Sequence, residues 1–451
     1  MNIIIIGAGK TGATLAEDLC GEGHNVTVLD TDQERLSQIG DEYDVLCMVG
    51  DGLNNADLSE AGIEDADVFI AVTGSDEQNL LSCLFAGKNP RCATIARVRN
   101  PMFLKENAFI RDRIGLSMII NPEYAAASEI ARLLRFPSAI EINTFAKGRL
   151  EQLTFRIPEG SVLDGKNLTY VRTKIEKNLL VCSVERGGEF FIPSGHFELR
   201  TGDKVSIVIE PRVAQRFFRH IGIDTHKVPT AMIVGGGMMT HYLAEQLLNH
   251  GVGVKIIESD RARCEELSEK FPSAIVINGD ATDKKLLLEE GVKETGAFVA
   301  ISGIDEENIL LSLFVKEVSG AKTVTKVNRI AFDSVIAKLD LDSVVYPRSI
   351  TAEYILQFVR AKQNAVGSNV ENLYKLIEDK VEALEFKIRE DAPLIGVPLS
   401  EMKLKDNVLI CGISRARRII IPGGGDTIRA GDSVIVVTSH KHLNDVSDIL
   451  A

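Results

Sequence analysis

Hydrophobic residues fall along this chain in short runs divided by polar, glycine-bearing turns. Residues 2–12 read NIIIIGAGKTG, four isoleucines running straight into a cluster of glycines. Such a run has the length of a buried strand, and Leu15 and Leu19 behind it, spaced i, i+4, mark one face of a helix. A second run at residues 25–29 predicts another strand, followed by a helix at 33–39. Further strands are predicted at 45–49, 68–72, 94–99 and 118–120. Helices are predicted from about Glu77, carrying Leu80, Leu81, Leu84 and Phe85, and over 123–134. Strands alternating with helices predict a parallel, doubly wound α/β sheet over residues 1–136.

The pattern then changes. Residues 153–157 (LTFRI) alternate as a half-buried strand, and short apolar runs at 179–184 and 205–209 follow, predicting a small α+β domain over 140–222. The first pattern next returns. Gly235 answers Gly7 at an offset of 228 (235 − 7), and Glu258 answers Asp30 at the same offset (258 − 30). Ala300, Ile301, Ser302 and Gly303 answer Ala71, Val72, Thr73 and Gly74, Asn308 answers Asn79, and Lys326 answers Arg97. The small domain repeats as well, with IRAGD at 428–432 answering LRTGD at 199–203. A tandem follows, with a second α/β domain at 228–362 and a second small α+β domain at 370–451.

The chemistry sits at the strand ends. Gly7, Ala8, Gly9, Lys10, Thr11 and Gly12 form G-x-G-x-x-G between a strand and a helix, the arrangement of a Rossmann-like dinucleotide site. Gly7 permits the turn, Gly9 lets a pyrophosphate approach the backbone, and Gly12 lets the helix pack on its strand. The helix N-terminus offers free N–H groups and a positive dipole end to phosphates. Asp30 ends the second strand 23 residues on (30 − 7), placed to bind a ribose and favouring NAD over NADP. Asp32 either shares that role or caps the next helix. Ligands of such sheets lie over the carboxyl ends of the strands, which adds Asp51 at the adenosine end, Thr73 and Gly74 along the nucleotide, and Arg97 near the phosphates, with Arg99 on the same strand face. The second copy offers Gly235, Gly236, Gly237, Met238, Met239, Glu258, Ser302 and Lys326. There Thr240 replaces the third glycine, so its helix should stand slightly off its strand. The second site is expected to bind nucleotide less tightly, or to bind a different one.

Composition narrows the function classes. The chain has 451 residues, 45% hydrophobic and 25% charged, with a net charge of −13. That balance argues against a nucleic-acid groove or an anionic membrane face. No apolar run reaches the ~18–20 residues that span a bilayer, and the N-terminal strand leaves no room for a signal peptide. Seven cysteines without a C-x-x-C pattern read as reduced thiols. A dehydrogenase would need a proton-transfer residue beside the nicotinamide. His24, His196, His220, His226, His241, His250, His440 and His442 fall on turns, helix ends or polar stretches, and none pairs recognisably with an Arg and an Asp.

With both halves laid out, the chain resembles the TrkA family of bacterial potassium uptake, whose unit is an RCK (KTN) pair of a Rossmann domain and a small C-terminal domain. The residues that carry the resemblance are GAGKTG from Gly7, VLD ending at Asp30, VGDG from Val49, AVTGSDEQN from Ala71, IARVRNP from Ile95, LRTGDKV from Leu199 and IRAGDSV from Ile428. It implies a peripheral cytoplasmic regulatory subunit on the inner face of the cell membrane, without catalysis, that gates a potassium-translocating subunit of the TrkH or TrkG kind. It implies NAD(H), and in related proteins ATP or ADP, at the Rossmann sites. It also implies a homotetrameric ring of eight RCK units. The alternatives left beside it are an NAD-dependent oxidoreductase and a gating module of another channel or exporter.

Overall fold

The structure, a computed structural model, describes the chain apart from residues 106, 136–139, 146–148, 224–227, 329–332, 337, 365–369, 377–380, 417, 441–442 and 444. The isoleucine run forms β1 (Asn2–Ile6), with Ile3, Ile4, Ile5 and Ile6 buried. It joins β2 (Asn25–Asp30), β3 (Leu46–Val49), β4 (Val68–Ala71), β5 (Ala93–Arg97) and β6 (Met118–Ile120) in one parallel sheet, ordered β3-β2-β1-β4-β5-β6. Helices cover both faces, which is why the central strands are apolar throughout instead of alternating. The strand order reverses between β1 and β4, so the chain leaves these two strands in opposite directions and opens a crevice above their carboxyl ends.

Five antiparallel strands follow: β7 (Glu141–Phe145), β8 (Leu150–Arg156), β9 (Leu179–Arg186), β10 (Glu189–Phe191) and β11 (Lys204–Ile209), ordered β10-β9-β11-β8-β7. The helix Pro211–His220 packs Phe217 and Phe218 edge-on against Phe155. The LRTGD stretch is a structural lock. Asp203, almost fully buried, takes both Nε and Nη2 of Arg186 at 2.7 Å and the Arg200 N–H at 2.8 Å.

The second half repeats this plan. β12 (Thr230–Val234), β13 (Gly253–Glu258), β14 (Ile275–Asn278), β15 (Ala297–Ala300), β16 (Lys322–Lys326) and β17 (Ser343–Val345) make a parallel sheet ordered β14-β13-β12-β15-β16-β17. β18 (Val370–Leu376), β19 (Val381–Lys387), β20 (Val408–Arg415), β21 (Arg418–Ile420) and β22 (Ser433–Thr438) make an antiparallel one ordered β18-β19-β22-β20-β21. Both orders match the first half strand for strand. The lock recurs too, with Asp432 holding Arg415 at 2.9 and 2.7 Å.

The chain divides into two compact units, each assembled from both halves. One comprises Met1–Ala131 with Pro229–Val359, the other Arg132–Val228 with Arg360–Ala451. Within the second unit the small sheets share a core in which Phe145, Leu150, Cys182 and Val208 meet Val381, Cys411, Ile435 and Val437. Within the first unit the helix Pro347–Asn364 does something the sequence does not announce. Its stripe Ala352, Ile355, Leu356 and Val359 is buried with Ile3, Ile5, Leu15 and Val28 of the first half. The matching helix Pro122–Arg135 leans on the second half: Tyr124 meets Tyr242 edge-on at 5.5 Å, and Ser128 accepts from Gln246 at 3.0 Å.

Candidate nucleotide site

Gly7 turns the chain out of β1 with φ +107°, and a Cβ there would lie 3.1 Å from the Thr73 backbone. Such a φ and such closeness admit glycine alone without strain. Its N–H donates to Leu29 at 2.8 Å, fixing the loop to the end of β2. Gly12 is required by contact: a Cβ there would stand 1.8 Å from the Gly7 carbonyl oxygen. At Gly9, by contrast, a Cβ would meet nothing within 4 Å, so its exposed side faces open space. The helix Lys10–Gly21 then begins at Gly9 with no side-chain cap and no acidic residue in its first turn. Asp32 caps the helix Gln33–Glu42 and Ser75 caps the helix Asp76–Ala86, so the uncapped N-terminus at the glycine loop is a local feature of this helix start. Uncapped N–H groups at a positive dipole end favour an anion.

These elements bound a cleft of about 530 Å³. Gly7, Gly9, Lys10, Thr11, Asp30, Asp51, Thr73, Gly74 and Arg97 all line it, together with Thr31, Arg35, Gln78, Ser82 and Arg348. The charged lining is cationic on balance, with Lys10, Arg35, Arg97 and Arg348 against Asp30 and Asp51, in a chain whose net charge is −13. No histidine lines it among the described residues; His226 and His442 lie outside them. Ala8 and Gly12 act on the loop itself and do not line the cleft: the Ala8 N–H donates to Asp30 Oδ2 at 2.6 Å. Asp30 Oδ1 accepts from the Asp32 N–H at 2.9 Å. The acid therefore pins the glycine loop as well as facing the cleft, and Asp32 caps its helix instead of joining it. Asp51 is half engaged, Oδ1 accepting from the Leu53 N–H at 2.9 Å.

Thr73 is held by Asn79, which accepts from its N–H and its hydroxyl at 2.8 Å and donates on to the Arg97 carbonyl at 2.9 Å. Burial pulls the Arg97 guanidinium below its ordinary pKa, with Glu123 opposing and Arg99 adding to the fall. Its Nε is buried without a hydrogen-bond partner. β5 ends at Arg97, so Arg99 lies past the strand, its N–H on Asp76 at 2.9 Å and its Nη2 on the Gly74 carbonyl at 2.7 Å. It supports the loop and does not line the cleft. The open face over Gly9, the uncapped helix start, the carboxylate at the end of β2 and the half-buried Arg97 guanidinium, whose Nε has no partner, together fit a dinucleotide.

The second copy keeps the frame and alters the mouth. Gly235 has φ +99° and its N–H donates to Ile257 at 2.9 Å; Ser302 and Asn308 repeat the Thr73–Asn79 bond at 2.9 Å. Gly236 replaces Ala8, and Glu258 is one methylene longer than Asp30. A Cβ on Gly236 would come within 2.9 Å of Glu258, so the longer acid fits because the methyl is gone. The Gly236 N–H still donates to Glu258 Oε2, at 2.5 Å. Thr240 is buried and its hydroxyl donates to the Gly235 carbonyl oxygen. In the first half the matching carbonyl oxygen, of Gly7, leaves no space for a Cβ at Gly12. Gly237 is exposed at the uncapped N-terminus, whereas Met239 is buried and offers a ligand only its backbone. Arg263, the counterpart of Arg35, lies over the loop with Nε on the Gly236 carbonyl at 2.5 Å and Nη2 4.0 Å from the Met238 sulfur. Lys326 donates to the Ile301 carbonyl at 3.2 Å, and burial lowers its pKa against Asp305 and Glu123.

The family model described as the TrkA-N domain matches residues 3–122 and 231–347, and that described as the TrkA-C domain matches 153–222 and 383–451. A Trk system potassium uptake protein TrkA homolog of Archaeoglobus fulgidus is 32% identical over 449 residues, covering 100% of both chains. The Trk system potassium uptake protein TrkA of Halomonas elongata is 30% identical over 453 residues, covering 99% of this chain and 98% of that one. Among solved structures, a GsuK channel bound to NAD shares the fold at TM-score 0.64 and 18% identity, over 98% of this chain and 77% of that one.

Proposed function

Because the chain belongs to the TrkA family, both of whose domain types it carries twice, we propose that it is a nucleotide-sensing regulatory subunit of a potassium uptake system. The observation that carries the reading is the cationic cleft at an uncapped helix N-terminus, beside a carboxylate that ends β2. In it, the loop N–H groups and Lys10 hold a pyrophosphate, Asp30 takes the ribose hydroxyls, Asp51 faces the adenosine end, and Thr73, Gly74 and Arg97 line the rest. NAD(H) is the ligand that fits this set, with ATP or ADP using the same phosphate contacts. The second site, formed by Gly235, Gly236, Gly237, Met238, Glu258, Ser302 and Lys326, takes nucleotide more weakly because Arg263 lies across its loop.

No described helix is long and apolar enough to cross a membrane. We place the chain on the cytoplasmic face of a TrkH- or TrkG-type translocating subunit, as a ring of four chains and eight RCK units. A ligand that binds one ring state better than another shifts the gate, and ~1–3 kcal/mol of such coupling is ordinary.

Three measurements test this. NADPH is expected to bind wild type at least about tenfold more weakly than NADH, because Asp30 repels a 2′-phosphate. Asp30→Asn should weaken NADH about tenfold and narrow that gap; equal NADH and NADPH affinities in the wild type would reject the assignment of Asp30. Calorimetry of the full chain with NADH should also resolve two unequal sites, and two equivalent ones would refute the closure by Arg263. Nucleotide-dependent potassium flux in vesicles holding a TrkH-type subunit tests the regulatory role itself.

A further inference from the structure

All but one of the residues lining the first cleft lie between Ile6 and Arg97; the exception is Arg348, from the second half. Its place is fixed by packing. Arg348 stands in the first turn of the helix Pro347–Asn364, and Ala352, Ile355 and Val359, at i+4, i+7 and i+11, are buried in the core of the first sheet. The stripe that anchors the helix to the first half thus ends, at its N-terminus, in a guanidinium facing the first half's cleft. Arg348 is half-buried, and burial pulls its pKa below the ordinary value while Asp305 of its own half opposes. Among the described residues no group accepts a hydrogen bond from it, so five N–H donors at the cleft wall are left for a ligand.

The other half carries the opposite charge in the same place. Glu123 has Ala127, Ile130 and Leu134 at the same spacing, and one offset joins the two sets (348 − 123, 352 − 127, 355 − 130 and 359 − 134 all equal 225). All three of those apolar residues are buried. Glu123 acts on Lys326 of the second half, as on Arg97 of its own, and its Oε2 is buried without a hydrogen-bond partner. The first site therefore receives a cation from across the pair, whereas the second receives an anion.

We propose that Arg348 is a phosphate-binding residue of the first-half nucleotide site, delivered by the second half, and that it makes this site selective for ligands bearing a pyrophosphate. The inference rests on reading the cleft as a nucleotide site. Its consequence is mechanical: a bound pyrophosphate bridges the helix Lys10–Gly21 of one half and the helix Pro347–Asn364 of the other, so occupancy bears on how the two Rossmann domains are held together. A guanidinium does this better than an ammonium because it meets two phosphate oxygens at once.

The test titrates the full chain with NADH, ADP and adenosine. Arg348→Gln should weaken NADH and ADP about tenfold and leave adenosine within twofold, and the dependence of NADH affinity on salt should flatten. Arg348→Lys should restore part of the NADH and ADP affinity. Unchanged NADH and ADP binding in Arg348→Gln would overturn the proposal, and so would an equal loss for adenosine, which marks a structural role. A wild type that binds neither NADH nor ADP would overturn the nucleotide reading itself, an outcome separate from any effect of the variants.

Discussion

Gly12→Val is expected to abolish NADH binding at the first site and to cost the fold about 2–4 kcal/mol, the range of a severe clash at a fixed backbone. The reason is one distance: a Cβ on Gly12 falls 1.8 Å from the Gly7 carbonyl oxygen. The helix Lys10–Gly21 must then slide off β1, and its first N–H groups, aimed over Gly9, lose their common target. The second half supplies the control. Thr240 occupies the matching position and reconciles its Cβ with the loop by giving its hydroxyl to the Gly235 carbonyl. Valine has the shape of threonine without that donor, so Gly12→Val takes the displacement and leaves the carbonyl unpaired. Gly12→Thr should recover part of the stability and little of the binding. Denaturant unfolding and NADH titration read the two effects separately. NADH affinity within about threefold of wild type in Gly12→Val would show that the helix start does not hold the phosphates.

That position also shows what was legible in the sequence. The glycine loop and the acid at the end of β2 are local features, 23 residues apart (30 − 7), and their repeat is legible as sequence similarity at a fixed offset; the structure gathers Gly7, Gly9, Lys10, Asp30, Thr73 and Arg97 around one cleft. The LRTGD and IRAGD stretches were legible as repeats, but their role was not, since Asp203 and Asp432 act through Arg186 and Arg415 on other strands. β7 and β18 escaped because edge strands of mixed polarity lack a run of apolar residues. Met239 reads as a loop residue by alignment with Thr11 and turns out buried within the first turn of the helix Met238–Asn249. The exchange of Ala8 and Asp30 for Gly236 and Glu258 makes sense only once the methyl and the longer acid are seen to claim the same space. Arg348 had no sequence signal at all: the cleft it lines belongs to residues more than 250 positions earlier, and only tertiary packing brings it there.

That packing makes the second large prediction. Ile355→Ala should cost about 2–4 kcal/mol, as for a fully buried isoleucine truncated in a tight core. The cost should fall on the half that does not contain the mutation. Ile355 is buried with Ile3, Ile5, Leu15 and Val28, so the cavity opens beneath β1 and β2 of the first half. Amide exchange should accordingly quicken in Asn2–Ile6 and Asn25–Asp30 before it quickens in Thr230–Val234. NADH affinity should drop too, since the same helix sets Arg348 at the cleft and the same strands carry the glycine loop and Asp30. Faster exchange confined to the second half would mean that the helix Pro347–Asn364 belongs to its own sheet. The Rossmann domains would then be independent sensors joined in one chain. If the loss appears in the first half, the first Rossmann domain has no complete core without the second, and the duplicated chain is held as a pair by the same helix that reaches the ligand.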